Sequence, residues 1–521
     1  MNKLLKTVFM FSCILAFAFC ASGVFAGGKK ADAAGSKTLV VGELWTISSV
    51  DPVHNGTLAV EKMLVSEPLV FIDNNFNITP GLALSWRNID AISWEFKLKQ
   101  GVKFHDGTEF NAPAVKWSLE RAIKESPTVA SFTKIERIDA IDPYTVRITT
   151  NTVNADLPET LHYSSTGIIA KSSVDSSGKF VKPVGTGPFI FASFDPGSGN
   201  VEVVRNNTYH GAPAGLERIR FRPITDPNTR ALAIENGEID FTIDPPLNEI
   251  ERLKTLKGIT VKPYETPRVY IIKMNMKHSP LNDLKVRQAL SRAIDNEAVA
   301  NHVLYGVGSP AAGPYASNIA WVNKDIKPYG YDPALAKKML AEAGYADTNE
   351  DGLLDKDGKV LELRLITYPE RPGLPPIAQA LQGFFADIGI TLKVDIMASS
   401  ATGAVLKTPD WDFYLMANAT TMIPTPYYHL NDGYGTDANA PQSGYSNPEV
   451  DRLLAELSAA FDMGRKYELA RQIQQAIHDD VAALWIAYYG VGIVMKDTVK
   501  GFVFNPTAHD YMLNPGMVIE K

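Results

Sequence analysis

Cysteine is almost missing from this chain of 521 residues: there are two, Cys13 and Cys20, both inside the first apolar segment. A protein that sheds that segment has no thiol, which excludes disulfides and thiolate chemistry. Histidine is also sparse. Nine are scattered along the chain, with no His-Glu-x-x-His and no pair four residues apart, so a protein-built transition-metal site is not expected. No Gly-x-Ser-x-Gly supplies a nucleophile elbow, and no Gly-x-Gly-x-x-Gly or Gly-Lys-Ser/Thr loop cradles a phosphate. Long basic runs are absent and the formal charge is −7, which argues against nucleic acid and against an anionic membrane surface.

Long apolar runs are absent too, with one exception. Lys3 and Lys6 precede an apolar stretch from Val8 to Ala21, and Val24-Phe25-Ala26 follows with the small residues of a cleavage site. This is the pattern of a secretory signal peptide over residues 1–26; nothing else approaches the ~20 apolar residues of a membrane span. Cys20 is preceded by Phe19, too bulky for a lipidation box, so the expected product starts at Gly27, carries no lipid and resides in the periplasm. Ala31–Ser36 reads as a short leader. The remaining length exceeds what one core supports and implies at least two domains.

Strand and helix signals alternate irregularly, which implies α/β layers rather than repeats or a barrel. Lys37–Leu44 is an apolar opening strand and Trp45–Asn55 a loop. Trp94–Lys99 alternates apolar and charged residues as a half-buried strand does, and Val102–Phe104 reads as a second, short strand. His105-Asp106-Gly107 is a tight turn, and Asn111 caps a helix with Pro113 in its first turn. Arg230–Asp240 is a helix end closed at Gly237. Val286, Leu290 and Ile294 share one helical face, and Asp332-Pro333 and Asn447-Pro448 each open a helix.

Several of these phrases carry a resemblance. Trp94-x-Phe-x-Leu98, Gly101-Val-Lys-Phe-His-Asp-Gly107 and Phe110-x-Ala112 are similar to the signature of the family 5 extracellular solute-binding proteins, the receptors of ABC importers for peptides, nickel complexes and opines. The family continues with an acidic pair where Pro113-Ala114 stand here. Pro80–Trp86, Pro183–Phe189, Gly237-Glu-Ile-Asp240, and Asn275, Pro280, Asp283, Arg287 and Asp295 resemble further family phrases in the same order.

The resemblance implies an α/β, two-lobed clamshell of the type II-like periplasmic-binding-protein class with an extra inserted subdomain. Residues 37–70, 183–274 and 490–521 are expected to form the first lobe, 71–182 the insertion and 275–489 the second lobe. It also implies a monomer that captures a short peptide or a small metal chelate between the lobes and hands it to an ABC permease in the inner membrane, without catalysis and without a resident cofactor. A secreted peptidase-like enzyme with an unrecognised carboxylate pair, or a sensory receptor on the same fold, is the alternative.

Ligand contacts follow from the same likeness. Peptide-binding relatives carry an aspartate in the loop that corresponds to Trp411–Leu430, shortly before an Asp-Pro. Here Asn418 and Thr420 offer an amide and a hydroxyl, and Ile423-Pro424 is taken to replace Asp-Pro. Ile366–Leu381 looks like the nickel or metallophore receptors. Tyr368, Arg371, Tyr427, Tyr428 and His429 are therefore expected around a flat anionic chelate, with Arg371 pairing its carboxylate. Arg268 and Tyr270, on the strand joining the lobes, and Trp45, Thr46 and Ser48, in the first loop, complete the expected cleft. His105 is read as structural. Asp347, Asn349 and Asp351 imitate the start of a calcium loop, but Gly358 stands where the bidentate glutamate belongs; an Asx-rich turn is the expected structure and a calcium ion the alternative.

Overall fold

The computed structural model describes residues 37–507 and 509–520; the expected signal peptide and leader lie outside them. Two long strands organise the molecule, Ile259–Met274 and Ala483–Lys496. Both are rich in β-branched and aromatic residues; Ala483–Lys496 is buried along most of its length and Ile259–Met274 along its second half, as strands covered on both faces must be. They run antiparallel at the centre of an 11-stranded mixed sheet. On one side follow Phe241–Ile243, Thr38–Glu43, Arg218–Pro223, Val201–Arg205 and Phe189–Phe194. On the other follow Phe413–Ala419, Glu362–Thr367 and Thr391–Ile396. The opening strand Thr38–Glu43 pairs in parallel with both Arg218–Pro223 and Phe241–Ile243.

The ladder between the long strands breaks at one place. Glu265 faces Gly490 and Val269 faces Tyr488, so Thr266, Pro267 and Arg268 all stand opposite Tyr489. Pro267 has no N–H to give the ladder, and an irregularity is where a strand tolerates it. The Thr266 hydroxyl donates to the Tyr489 carbonyl at 2.9 Å in place of a ladder bond. This bulge turns Arg268 out of the sheet's regular alternation.

A second, four-stranded antiparallel sheet runs in the order Ala83–Asp90, Ser93–Leu98, Thr145–Thr150, Ile135–Asp142. It has its own core of Phe96, Leu98, Val102, Phe104, Phe110, Val115, Leu119, Val146 and Ile148. The helix Ala112–Glu125 closes it, capped by Asn111, whose side chain accepts the Ala114 N–H at 3.1 Å. Here the sequence reading needs two corrections. Val102–Phe104 is not a strand; it makes only the single bridge Lys103–Glu109. Glu95 is buried against the alternation, because Arg87 and Arg147 donate to its carboxylate at 3.0 and 3.3 Å.

The Pro183–Phe189 phrase has a steric cause. A Cβ on Gly185 would stand 2.0 Å from the Val65 carbonyl oxygen, and one on Gly187 2.2 Å from that of Leu64. The two glycines let the second connection press against residues 64–66. His105 belongs to the same junction, its Nε2 lying 2.9 Å from the Gly187 carbonyl. Among the described residues no helix is long and apolar enough to cross a membrane.

Candidate ligand-binding cleft

Around the bulge lies a buried network of charge. Arg371, 2 % exposed, sits 3.1 Å from Asp244 and also pairs with Asp510. Arg268 pairs with Asp510 at 3.2 Å and donates its Nε–H to the His509 carbonyl at 3.1 Å. Lys62 bonds both Glu43 oxygens at 2.9 Å and lies 3.7 Å from Asp510. The Trp45 indole N–H donates to Asp510 at 3.0 Å, the Tyr511 hydroxyl to Glu43 at 2.8 Å, and the Tyr489 hydroxyl to Asp244. The Arg371 guanidinium lies over the rings of Trp45 and Tyr489, 5.1 and 5.4 Å from their centroids.

Three cations thus face three carboxylates, all nearly out of water. Burial opposes the charge on Asp510, yet the cations Arg371, Arg268 and Lys62 hold its carboxyl well below the usual range. Burial likewise opposes the charge on Arg371, and Asp510, Tyr489 and Asp244 outweigh it and hold the guanidinium's pKa well above normal. Such a network is stable only while each member has its partner.

Two hollows adjoin this network, and another neighbours one of them. The first, about 20 Å³, is lined by Glu61, Tyr163, Arg268, Thr421 and His509, among others. The second, about 380 Å³, shares Tyr163, Ala419 and Met422 with the first and adds Lys134, Asn418, Thr420, Tyr427, Tyr428 and His429. The third, about 210 Å³, shares Thr57 and His509 with the first and is bounded by Trp45, Thr46 and Lys62. Their shared lining residues set them side by side, a seam of neighbouring hollows past the end of the strand Phe413–Ala419. Thr420 closes that strand, both its N–H and its hydroxyl donating to the Pro267 carbonyl, at 2.9 and 3.0 Å.

The residues singled out in the sequence divide into two sets. Trp45, Thr46, Arg268, Asn418, Thr420, Tyr427, Tyr428 and His429 line the seam. Tyr270, Tyr368 and Arg371 lie behind it. The Tyr270 ring packs on Tyr489 with centroids 5.0 Å apart, and a Cβ on Gly373 would stand 2.3 Å from the Tyr270 hydroxyl. Tyr368 accepts the Ala417 N–H at 3.3 Å. Ser48 is exposed on the first loop and borders none of the three hollows. The Tyr428 hydroxyl is taken up by Phe132 and Asn154, at 2.8 and 3.2 Å.

The helix Pro426–Tyr434, with Thr425 at its cap, follows the Ile423-Pro424 pair and carries Tyr427, Tyr428 and His429. One detail of the sequence reading is revised by this geometry. Arg371 is engaged by the protein's own Asp244 and Asp510, so its charge is already neutralised.

Other residues at the seam escaped the sequence reading. Glu61 lies in the one-turn segment Thr57–Lys62, and its Oε2 accepts the His509 N–H at 2.9 Å. Burial raises its carboxyl to about 7 despite that bond. His509 and His162 are held neutral by burial, at about 3 and about 4. Thr421 Oγ1, His509 Nδ1 and His429 Nε2 are buried with no hydrogen-bond partner among the described residues. The signal for Glu61 was present as an acid inside the apolar run Leu58–Val65.

No calcium site is supported at residues 347–351. Asp347 accepts the N–H groups of Asp351 and Gly352 at 3.2 and 2.9 Å, and the Asn349 amide donates to Asp351 at 3.0 Å. The loop spends its oxygens on its own turn. Among the described residues, the acid–imidazole group of Asp51, His54 and Glu125 is an ion-pair cluster, since Arg121 pairs with both acids at 2.5 and 2.7 Å.

Residues 77–440 match the model of the bacterial extracellular solute-binding proteins, family 5 Middle. The chain belongs to this family. It is the solute-binding receptor of an ABC importer, and it shares the family's two-lobed α/β fold. The chain is 29 % identical over 438 residues to the probable D,D-dipeptide-binding periplasmic protein DdpA of Escherichia coli, covering 82 % of each. It is 27 % identical over 486 residues to the oligopeptide-binding protein AppA of Bacillus subtilis, covering 89 % of this chain and 88 % of AppA. A crystal structure of NikA from Brucella suis with Fe(III)-EDTA superposes with a TM-score of 0.82 at 25 % identity, over 93 % of this chain and all of NikA. The family members compared are binding proteins that deliver peptides or metal chelates to ABC permeases.

Proposed function

We propose that this receptor captures a short peptide with free termini, laid along the seam past residues 418–422, and delivers it to an inner-membrane permease. One observation carries the reading. The seam joins a slot holding an unpaired carboxyl, Glu61, to a hollow holding a half-buried lysine, Lys134, with amide and aromatic side chains between. Opposite charges at separate places complement a zwitterion with separated ends. A volume of about 380 Å³ lies in the range of small-ligand sites. The relatives named for dipeptides and oligopeptides agree with this class.

A flat anionic chelate fits less well, because Arg371 is already neutralised and Glu61 would repel it. It remains the second reading on one observation, the unpartnered His429 Nε2 beside Tyr427 and Tyr428, and on the NikA likeness.

The protein works as a monomer exported by the signal at residues 1–26. The first lobe comprises residues 37–70, 183–274 and 490–521, the insertion residues 71–182 and the second lobe residues 275–489. Calorimetry with a mixed dipeptide and tripeptide pool, with Ni²⁺ plus histidine, and with bare Ni²⁺ tests the ligand class. Heat from the peptides alone is expected. Heat from nickel–histidine alone overturns the peptide reading in favour of the chelate.

A further inference from the structure

We infer that Glu61 receives the ligand's terminal ammonium, in a seat completed by Thr421 and the ring of His509. The inference rests on the peptide reading above and assigns its amine end.

The cations near Glu61 are committed elsewhere. Arg268 is tied to Asp510 and to the His509 carbonyl, Lys62 to Glu43 and Asp510, and Arg371 to Asp244 and Asp510. Among the described residues Glu61 makes one side-chain hydrogen bond, from the His509 N–H, and no ion pair. A carboxylate left this way at the wall of a hollow is a costly arrangement that an incoming cation relieves.

The hollow beside it is small. About 20 Å³ admits a group the size of one water molecule, which an ammonium is and a carboxylate or a ring is not. Thr421 Oγ1 and His509 Nδ1, on the same wall, are buried without partners. With one Glu61 oxygen they number three, as do the N–H bonds of an ammonium. His509 and His162 stay neutral, so neither neutralises Glu61 nor repels a cation.

Glu61 is partly protonated near neutral pH because burial outweighs the His509 N–H and Lys62, with Asp510 adding to the rise and Arg268 opposing it. Tyr163 and Tyr511, which also face it, keep raised pKa values and stay neutral. When the ammonium enters, the Glu61 proton leaves to solvent and an ion pair forms in its place.

The test is calorimetry at pH 6.5 with the dipeptide and tripeptide pool and the same pool acetylated at the amino terminus, in two buffers of different ionisation enthalpy. Wild type should bind the acetylated pool about a hundredfold more weakly and release protons on binding the free pool. Glu61→Gln should bind the free pool about a hundredfold more weakly without proton release, and Glu61→Asp should recover part of the loss. Equal binding of free and acetylated pools by wild type overturns the Glu61 assignment while leaving the peptide reading standing. No binding of either pool overturns both.

Discussion

Arg371 Nη1 lies 3.1 Å from Asp244 Oδ2, the two side chains 2 % and 4 % exposed, and joins residues far apart in sequence through their charges. Its other amino group pairs with Asp510. A single guanidinium therefore fastens the turn after Ile243, the loop before Leu374 and the C-terminal segment. Removing it leaves two buried carboxylates short of a cation, which costs about 3–5 kcal/mol. Arg371→Ala should lower the melting temperature of the ligand-free protein strongly, and Arg371→Lys should lower it less. A variant that melts like wild type but has lost its ligand would show that Arg371 serves the ligand directly.

Glu61 predicts a pH dependence of stability. Its carboxyl is raised from 4.5 to about 7 in the fold, so the native state holds a proton that the unfolded chain has lost. Stability from this group is fully present below pH 4.5 and is lost as pH rises through 7. At about 1.4 kcal/mol per unit, the loss is on the order of 3 kcal/mol by pH 8. Glu61→Gln should melt above wild type at pH 8, by about 1–3 kcal/mol of stability, and level with it at pH 4.5. Denaturant melts of the ligand-free proteins at the two pH values measure this. A stability difference that does not change with pH would refute the raised pKa.

The fold was legible in the sequence because its signals are local. Asn111, Asp332 and Asn447 each cap the helix that their sequence context announced, and capping depends on a few neighbouring residues. The strand assigned to Val102–Phe104 failed because burial of Val102 and Phe104 satisfied the apolar pattern without a ladder. The cleft was only half legible. Tyr427, Tyr428 and His429 announced themselves as an aromatic cluster in one stretch of sequence, which folds as the start of the helix Pro426–Tyr434. Glu61, Asp244 and Asp510 did not, because an acid's role depends on which cations the fold brings to it: Lys62, Arg268 and Arg371 gather on Asp510, Arg371 also on Asp244, and among the described residues none pairs with Glu61.

Closure on the ligand is measurable as well. A ligand bound only by the closed form stabilises the protein by about 2.7 kcal/mol at about a hundredfold excess over Kd. The melting temperature should rise with the peptide pool, and X-ray scattering should show a smaller radius of gyration than without it. The contacts that closure would preserve include the Tyr428 hydroxyl on Phe132 and the Lys466–Asp156 ion pair. Tight binding without any change in radius would argue for a rigid cleft.

If the ligand is a peptide with free termini, Lys134 is the expected partner of its carboxylate end, and coupling tests this. Lys134 stands in a left-handed turn at the end of the helix Pro127–Thr133, its Nζ 5.4 Å from the Tyr427 ring centroid. Burial lowers its pKa, opposed by Asp156, and among the described residues it makes no ion pair within reach. A ligand carboxylate would supply the missing partner. Amidating the peptide carboxyl and replacing Lys134 with Gln should then each weaken binding by about tenfold, a figure typical of a half-exposed charge contact. Applied together, they should cost little more than either alone, because both remove the same interaction. Calorimetry of wild type and Lys134→Gln with the free and amidated pools closes this cycle. Losses that simply multiply would mean that lysine and carboxylate do not meet, and that the peptide's carboxyl end lies elsewhere along the seam.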